Sequence, residues 1–506
     1  CGSHLFMHSA TNGPDFPSFK ERDWITLMGS GMNDMGEWPA KRRLYNMLSR
    51  LMVRNRAKDV EHECPLPPLE RRIVSLSMSS HECMTYNVLQ SLIMLNAALS
   101  QEKDKDYFFH TGNKKTLASV MENVAMACFH FAGFEFLRQV QRAHDHILQQ
   151  LNKPHGVAEQ FKQEAVEALY QISAALQDQT WREHVQQGDV LYKAEHPEER
   201  LLLSWSRRGS IWLTSEELLF LRNEYYKKSA HVLDARGLFE ELLRCGAQYK
   251  HRKTGCTVSS ATHRSPKTIS TPKRNEPFLS EPSRVPALPA AFDDVLVHTS
   301  TSTKLNGILQ EILEAVPGEK VLVFSTLHQV LNEIAKALEL CRVPFLIYVS
   351  GMPQHLRNTY VNAFTHESQF RCLLMSTAIG GSGLDLHCAS RIILTEPIWQ
   401  WDLESQAVKR AWRIGQTRRV LVSTYVMRHT YEERVIERKK ARFLNGTDAA
   451  EQLQTLTDDP GMREFLARPH LVQAPSKKRE ITWTRPLLGD PAKLSFVHAS
   501  KRARHT

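Results

Sequence analysis

The chain of 506 residues predicts an α/β fold: a parallel sheet with helices on both faces, preceded by a mostly helical insert and a disordered linker. Three observations carry that prediction. From Asp294 onward, short apolar runs alternate with amphipathic stretches, the pattern of strands buried on both faces between covering helices. From Ser79 to Gln248, long segments such as TLASVMENVAMACFHFAGFEFLRQVQRAHDHILQQL repeat apolar residues at helical spacing, with few strand signals. Between the two, YKHRKTGCTVSSATHRSPKTISTPKRNEPFLSEPSRVPALPA, beginning at Tyr249, is rich in Ser, Thr, Pro, Lys and Arg and poor in large apolar residues, the composition of a loose tether.

Taken in order, residues up to about Trp38 show little periodicity. Ala40 to Val60 predicts a helix, with Leu44, Met47, Leu48, Leu51 and Met52 on one side. LPPLERRIVSLSMS gives a proline stop and then a strand over Arg72 to Leu76. After the helical insert and the linker, KVLVFST, PFLIYVS, FRCLLMST, ASRIILTEP and RRVLVSTYVMR predict strands. HQVLNEIAKALEL, HLRNTYVNAFTH, DLESQAVKRAWRI and TYEERVIERKKARFL predict helices. The tail after Asn445 is polar, ends in SKRARHT, and is expected to be disordered. The chain thus divides into 1–78, 79–248, 249–293, 294–445 and 446–506.

Composition (42% hydrophobic, 24% charged) is that of a globular protein, and the net charge of +10 fits a nucleic-acid partner without requiring one, since part of the surplus sits in the linker. Nine scattered cysteines with no CxxC argue against a disulfide framework and for a reducing compartment. Cys245, His251, Cys256 and His263 fit no standard zinc spacing, so no metal site is expected. No apolar run reaches the roughly 18 residues that a membrane span needs. SKKRE and KRAR are short basic runs that read as solvated charge, a nuclear import signal or a DNA-contacting tail.

Two segments carry chemistry. STAIGGSGLDL (Ser376 to Leu386) follows an apolar strand. Ser376 and Thr377 fall at the strand's end, where hydroxyl and N–H groups can meet a phosphate. Gly380, Gly381 and Gly383 let the backbone turn and approach a ligand, and Asp385 can accept from a ribose hydroxyl. A plain tight turn explains such a loop equally well. One strand later, QAVKRAWRIGQ places Gln406, Arg410 and Arg413 at i, i+4 and i+7, one face of a helix. Guanidinium groups suit phosphate, and an arginine reaching a γ-phosphate contributes roughly 10³–10⁵ in rate. The alternative is a solvated face paired with Glu404. The combination with the glycine loop favours the phosphate reading.

The run from LLMSTAIGGSGLDL through QAVKRAWRIGQ to TYEERVIERK resembles the second RecA-like lobe of SWI/SNF-type ATPases, a branch of helicase superfamily two. TSTKL (Thr301 to Leu305) resembles the family's lead-in to this lobe, VLVFST its motif IV, GGSGLDL motif V and QAVKRAWRIGQ motif VI. RIGQ separates this family from RNA helicases. Leu51 to Leu89 looks more loosely like the family's exit from the first lobe, and Ser79 to Gln248 falls where members carry protrusions. The resemblance implies a DNA-dependent ATPase that uses ATP and Mg²⁺, acts on duplex DNA or nucleosomes, and resides in the nucleus. It makes Arg413 the arginine finger, with Arg410 and Gln406 in the same network, and puts Gly381, Gly383 and Asp385 on the nucleotide. Ser325, Thr326, Ser376 and Thr377 would meet the DNA backbone. Trp399 holds the aromatic position before motif VI; Trp401 stands where a Pro is usual, and Ser382 is uncommon within motif V. No GxxxxGK[ST] loop and no Asp-Glu-x-His box occur in the chain, so half of the composite ATP site, with the Mg²⁺ ligands, is expected in first-lobe sequence ahead of Cys1. The other reading is a non-catalytic scaffold built from an orphan lobe.

Overall fold

The computed structural model describes residues 65–99, 114–153, 157, 159–232, 234–254, 288–289, 292–377, 384–444, 459–467, 471–474 and 481–488. The predicted helix over Ala40 to Val60, the glycines Gly380, Gly381 and Gly383, Ser382, and most of the linker lie outside them. The strands are β1 (Leu69–Leu76), β2 (Leu191–Glu195), β3 (Trp212–Thr214), β4 (Leu296–Ser300), β5 (Val321–Ser325), β6 (Phe345–Tyr348), β7 (Cys372–Ser376), β8 (Arg391–Leu394), β9 (Val420–Met427) and β10 (Arg485–Pro486). The insert holds α1 (Ser80–Leu99), α2 (Lys114–Ala127), α3 (Phe134–Leu151), α4 (Lys162–Gln177), α5 (Gln179–Gln187), α6 (Glu199–Trp205), α7 (Ser215–Ser229) and α8 (Ala235–Thr254). The lobe holds α9 (Thr303–Ala315), α10 (His328–Leu340), α11 (Gln354–His366), α12 (Trp401–Lys409) and α13 (Tyr431–Leu444), followed by α14 (Pro460–Ala467).

Six strands form an all-parallel sheet in the order β1-β9-β8-β5-β7-β6. The apolar runs are continuous because both faces are covered. On one face Val321, Val323, Leu374 and Ile393 pack with Ile308, Ile312, Leu331 and Ile334 of α9 and α10. On the other, Leu322, Phe324, Leu373, Ile392 and Val422 pack with Phe364 of α11 and with Ala407 and Val408 of α12. All five residues of β5 and of β7 are buried. β1 lies at the sheet edge, in register with β9 from Leu69↔Val420 to Leu76↔Met427.

The insert is mostly helical as expected, but β2 and β3 lie within it and join β4 and β10 in a second sheet, order β10-β4-β2-β3. Helices α1 to α5 share a core around Trp181, whose Nε1 donates to Thr85 Oγ1 (3.0 Å), and this core also takes in Met427, Tyr431 and Val435 of the lobe. The lead-in TSTK makes that junction. Ser302 caps α9 and donates to the Phe129 carbonyl (2.6 Å). Thr303 donates through N–H and Oγ1 to Glu82 (2.8 and 2.6 Å), the carboxylate that also caps α1 at Ser79 (2.7 Å). Lys304, 1% exposed, pairs at 2.5 Å with Glu432, 0% exposed, which also accepts from the Met427 N–H (2.8 Å).

Two expectations need correcting. Helix α8 runs to Thr254, beyond the expected linker start, because Tyr249 packs its ring on Trp205 and Phe220 (centroids 5.8 and 5.0 Å) and Lys250 donates to the Leu203 carbonyl. The tail is not disordered throughout: α14 packs on α13, β10 pairs with β4, and Trp483, Leu487 and Leu488 are buried in the core. A few large apolar residues suffice to dock an otherwise polar segment.

Candidate functional site

The structure separates the predicted site residues into two groups. The hydroxyl group lies at the carboxyl ends of adjacent strands, where Ser325 and Ser376 are register partners. Thr377 N–H donates to the Ser325 carbonyl (3.0 Å). Ser325, fully buried, donates its hydroxyl to Glu396 (3.0 Å), and Thr326 donates both N–H (2.5 Å) and Oγ1 (2.8 Å) to the same carboxylate, as does Thr395 Oγ1. Ser376 Oγ is buried with no hydrogen-bond partner among the described residues, and Thr377 is 7% exposed. Thr326 is therefore the exposed member of the four. Glu396, 6% exposed, was not singled out from the sequence. The signal was a lone acidic residue closing an apolar strand at the ligand-binding edge of a parallel sheet.

The arginine group lies beyond α12. That helix ends at Lys409, so the i, i+4, i+7 stripe does not continue as one helical face. Arg410 caps it, Ala411 and Trp412 N–H both turn back to the Val408 carbonyl (3.2 and 2.9 Å), and Gly415 reverses the chain at φ +102°. Buried Gln416 fixes the reversal: Nε2 donates to the carbonyls of Ala389 (2.8 Å) and Ala411 (3.2 Å), while Oε1 accepts from the N–H of Thr417 and Arg418. An amide does this because it carries donors and an acceptor on one planar group. Trp412 Nε1 donates to the Pro67 carbonyl (2.8 Å).

This turn lies against the chain that leaves the glycine-rich loop. Leu386 N–H donates to the Arg410 carbonyl (3.0 Å), and Arg413 Nε stands 3.7 Å from Asp385 Oδ1. His387 Nδ1 is 2.8 Å from the same oxygen. Partial burial pushes the Asp385 carboxyl up, but the His387 hydrogen bonds and the Arg413 charge outweigh it and hold it below the ordinary carboxylate value. Burial pushes Arg410 (9% exposed) below the ordinary guanidinium value; Tyr348 offsets part of this, and the neighbouring Arg413 adds to it. Gln406 is exposed on α12. Trp401, 55% exposed, stands beside Arg71 and Lys439, which Glu404 links (2.6 and 2.5 Å). Trp399 packs against the insert core. Among the described residues no group of three or more His, Cys, Asp or Glu is placed to hold a metal ion, and no helix is long and apolar enough to cross a membrane.

Residues 303–415, which carry the strand-end hydroxyls and most of the arginine turn, match the family described as Helicase conserved C-terminal domain. The relatives that share this lobe are of the SWI/SNF type, a branch of helicase superfamily two, and the chain is similar to them over this part of its length. It is 33% identical over 172 residues to DNA repair protein rad8 of Schizosaccharomyces pombe, covering 32% of this chain and 15% of that protein. It is 37% identical over 127 residues to DNA repair protein RAD5 of Gibberella zeae (24% and 11%), and 34% identical over 122 residues to DNA excision repair protein CSB of Oryza sativa (24% and 10%). The chain thus spans only a small part of the length of these relatives. Among solved structures, the C-terminal part of the Fun30 ATPase domain aligns at 17% identity over 79% of this chain and 97% of that one, with a TM-score of 0.39.

Proposed function

We propose that this chain supplies one half of an ATP-driven translocase on duplex DNA, the half that brings arginines to the nucleotide and strand-end groups to the DNA backbone. Arg413 is the arginine finger, Arg410 its companion on the phosphates, and Gln406 part of their network. Gly381, Gly383 and Asp385 line the nucleotide side. Thr326, with Ser325, Ser376 and Thr377 behind it, forms the DNA side. The phosphate loop and the Asp-Glu-x-His box come from a first lobe, since neither pattern occurs in these 506 residues. Mg²⁺ is placed with that lobe too: among the described residues no group of three or more His, Cys, Asp or Glu is arranged to hold a metal ion, and both oxygens of Glu396 already accept from hydroxyl or N–H donors. The relatives named for DNA repair support a DNA partner; a nuclear location and action on nucleosomes are part of the same proposal.

One observation carries the reading. The Arg413 side chain, 43% exposed, is held at Asp385 beside a buried Arg410. Two neighbouring guanidinium groups that repel one another favour an anion placed between them. The test is DNA-stimulated ATP hydrolysis by the full-length protein. Arg413→Ala should lower it about 10³-fold or more without lowering the melting temperature. Turnover at the wild-type rate in that variant overturns the assignment. The 506-residue chain alone should show only background hydrolysis.

A further inference from the structure

We propose that His387 is a positioning residue for Arg413, acting through Asp385. This rests on the arginine-finger reading of Arg413. Three contacts zip the segment Asp385–Ala389 to the arginine turn: Leu386 N–H to the Arg410 carbonyl (3.0 Å), Arg413 Nε to Asp385 Oδ1 (3.7 Å), and Gln416 Nε2 to the Ala389 carbonyl (2.8 Å). His387 sits at the centre of this zip. Its Nδ1 meets Asp385 Oδ1 at 2.8 Å, which places the ring proton on Nδ1 and fixes the rotamer of the carboxylate. Its ring lies under Gly415, where an added Cβ would stand 3.5 Å from Cδ2 and Cγ.

The Arg413–Asp385 pair is half exposed on both sides, so it contributes little stability. Its effect is on direction. Asp385 approaches Nε, the inner nitrogen of the fork, and leaves the two terminal nitrogens of Arg413 for a phosphate. An arginine that must reach a transferring group gains from a fixed approach, because a displacement of about 1 Å costs on the order of 10²-fold in rate. His387 supplies the hydrogen bond that keeps Asp385 in place.

Side-chain shape gives the test. The amide nitrogen of Asn falls where Nδ1 of His falls, and that of Gln falls where Nε2 falls. In the full-length protein, His387→Ala and His387→Gln should each lower kcat for DNA-stimulated ATP hydrolysis about tenfold with KM for ATP changed less than twofold. His387→Asn should stay within twofold of wild type. In an Arg413→Ala background, His387→Ala should cost nothing further. A merely structural ring would make Asn, Gln and Ala equally poor and would add its full loss to Arg413→Ala; either outcome overturns the proposal. A second measurement does not depend on turnover: ¹⁵N NMR of histidine rings in the 506-residue chain should show His387 as the Nδ1–H tautomer, and Asp385→Ala should abolish that preference. An Nε2–H tautomer in the wild-type chain overturns the inference alone. Absence of DNA-stimulated turnover in full-length wild type overturns the functional reading on which it rests.

Discussion

Lys304→Met removes one partner of a salt bridge in which neither side chain reaches water, 2% and 0% exposed. Glu432 keeps the Met427 N–H (2.8 Å) but loses the ammonium at 2.5 Å. Breaking a buried pair from one side costs about 3–5 kcal/mol, since the remaining charge stays desolvated; the retained N–H puts this site near the lower figure. Burial already raises the Glu432 carboxyl, with Lys304 opposing it, so removing Lys304 raises it further. A carboxyl raised in the folded state stabilises most below its unfolded value of 4.5, and that contribution is lost as pH rises through the folded value. The variant should therefore be weakest at pH 8 and recover toward pH 5, at most about 1.4 kcal/mol per pH unit. Lys304→Met with Glu432→Gln, which removes both charges and keeps an acceptor for Met427, should fall within about 1.5 kcal/mol of wild type. Urea unfolding followed by tryptophan fluorescence at pH 5, 6.5 and 8 measures all three. A single-variant cost below about 1 kcal/mol, or a cost independent of pH, refutes the reasoning.

Gly415→Ala forces a side chain to φ +102° and should cost about 1–2 kcal/mol in urea unfolding; on the proposed arginine-finger reading it should also lower DNA-stimulated hydrolysis in the full-length protein, because the turn that carries Arg413 shifts with it. Glu396→Gln sets an amide NH₂ among the donors of Ser325, Thr326 and Thr395, and should lower the urea midpoint by an amount equivalent to about 1–3 kcal/mol. Burial lowers His130 to about 4 and His184 to about 3, below the ordinary 6.5. The unfolded chain therefore binds more protons than the folded one below pH 6.5, and stability should drain from there toward pH 4 by about 1.4 kcal/mol per unit for each ring. His184→Phe should flatten that slope in thermal melts; an unchanged slope refutes it.

Much of the lobe is legible in the sequence because burial on both faces of the sheet leaves an unmixed local signal. β5 and β7 are wholly buried and read as unbroken apolar runs, and α10 occupies the predicted His328–Leu340 span. The features that escape are made at a distance. The end of α12 depends on a Gln416 side chain reaching Ala389, 27 residues away, while the local Gln-x-x-x-Arg-x-x-Arg spacing continues a helical pattern past it. β1 reads as a strand, but its exposed Arg71, Arg72 and Ile73 name no partner. The docking of Trp483 and Leu487 is hidden by the polar composition around them. At the site, residue types and order pointed to Arg410, Arg413 and Asp385. They did not reveal that Ser325 would spend its hydroxyl on Glu396, because that bond joins strand ends 71 residues apart.

The register of β1 against β9 has a consequence for how the chain is made. Arg72 and Ser423, bonded side chain to side chain across that pairing, are 351 residues apart. At 5–20 residues per second, β1 leaves the ribosome roughly 20–70 s before the strand that receives it. During that wait the insert can build its own core, but Met427, Tyr431 and Val435, which complete it, have not yet emerged. Nascent chains that stop short of Val420 hold a strand with nowhere to dock, and the emergence of β9 closes the lobe and the insert together.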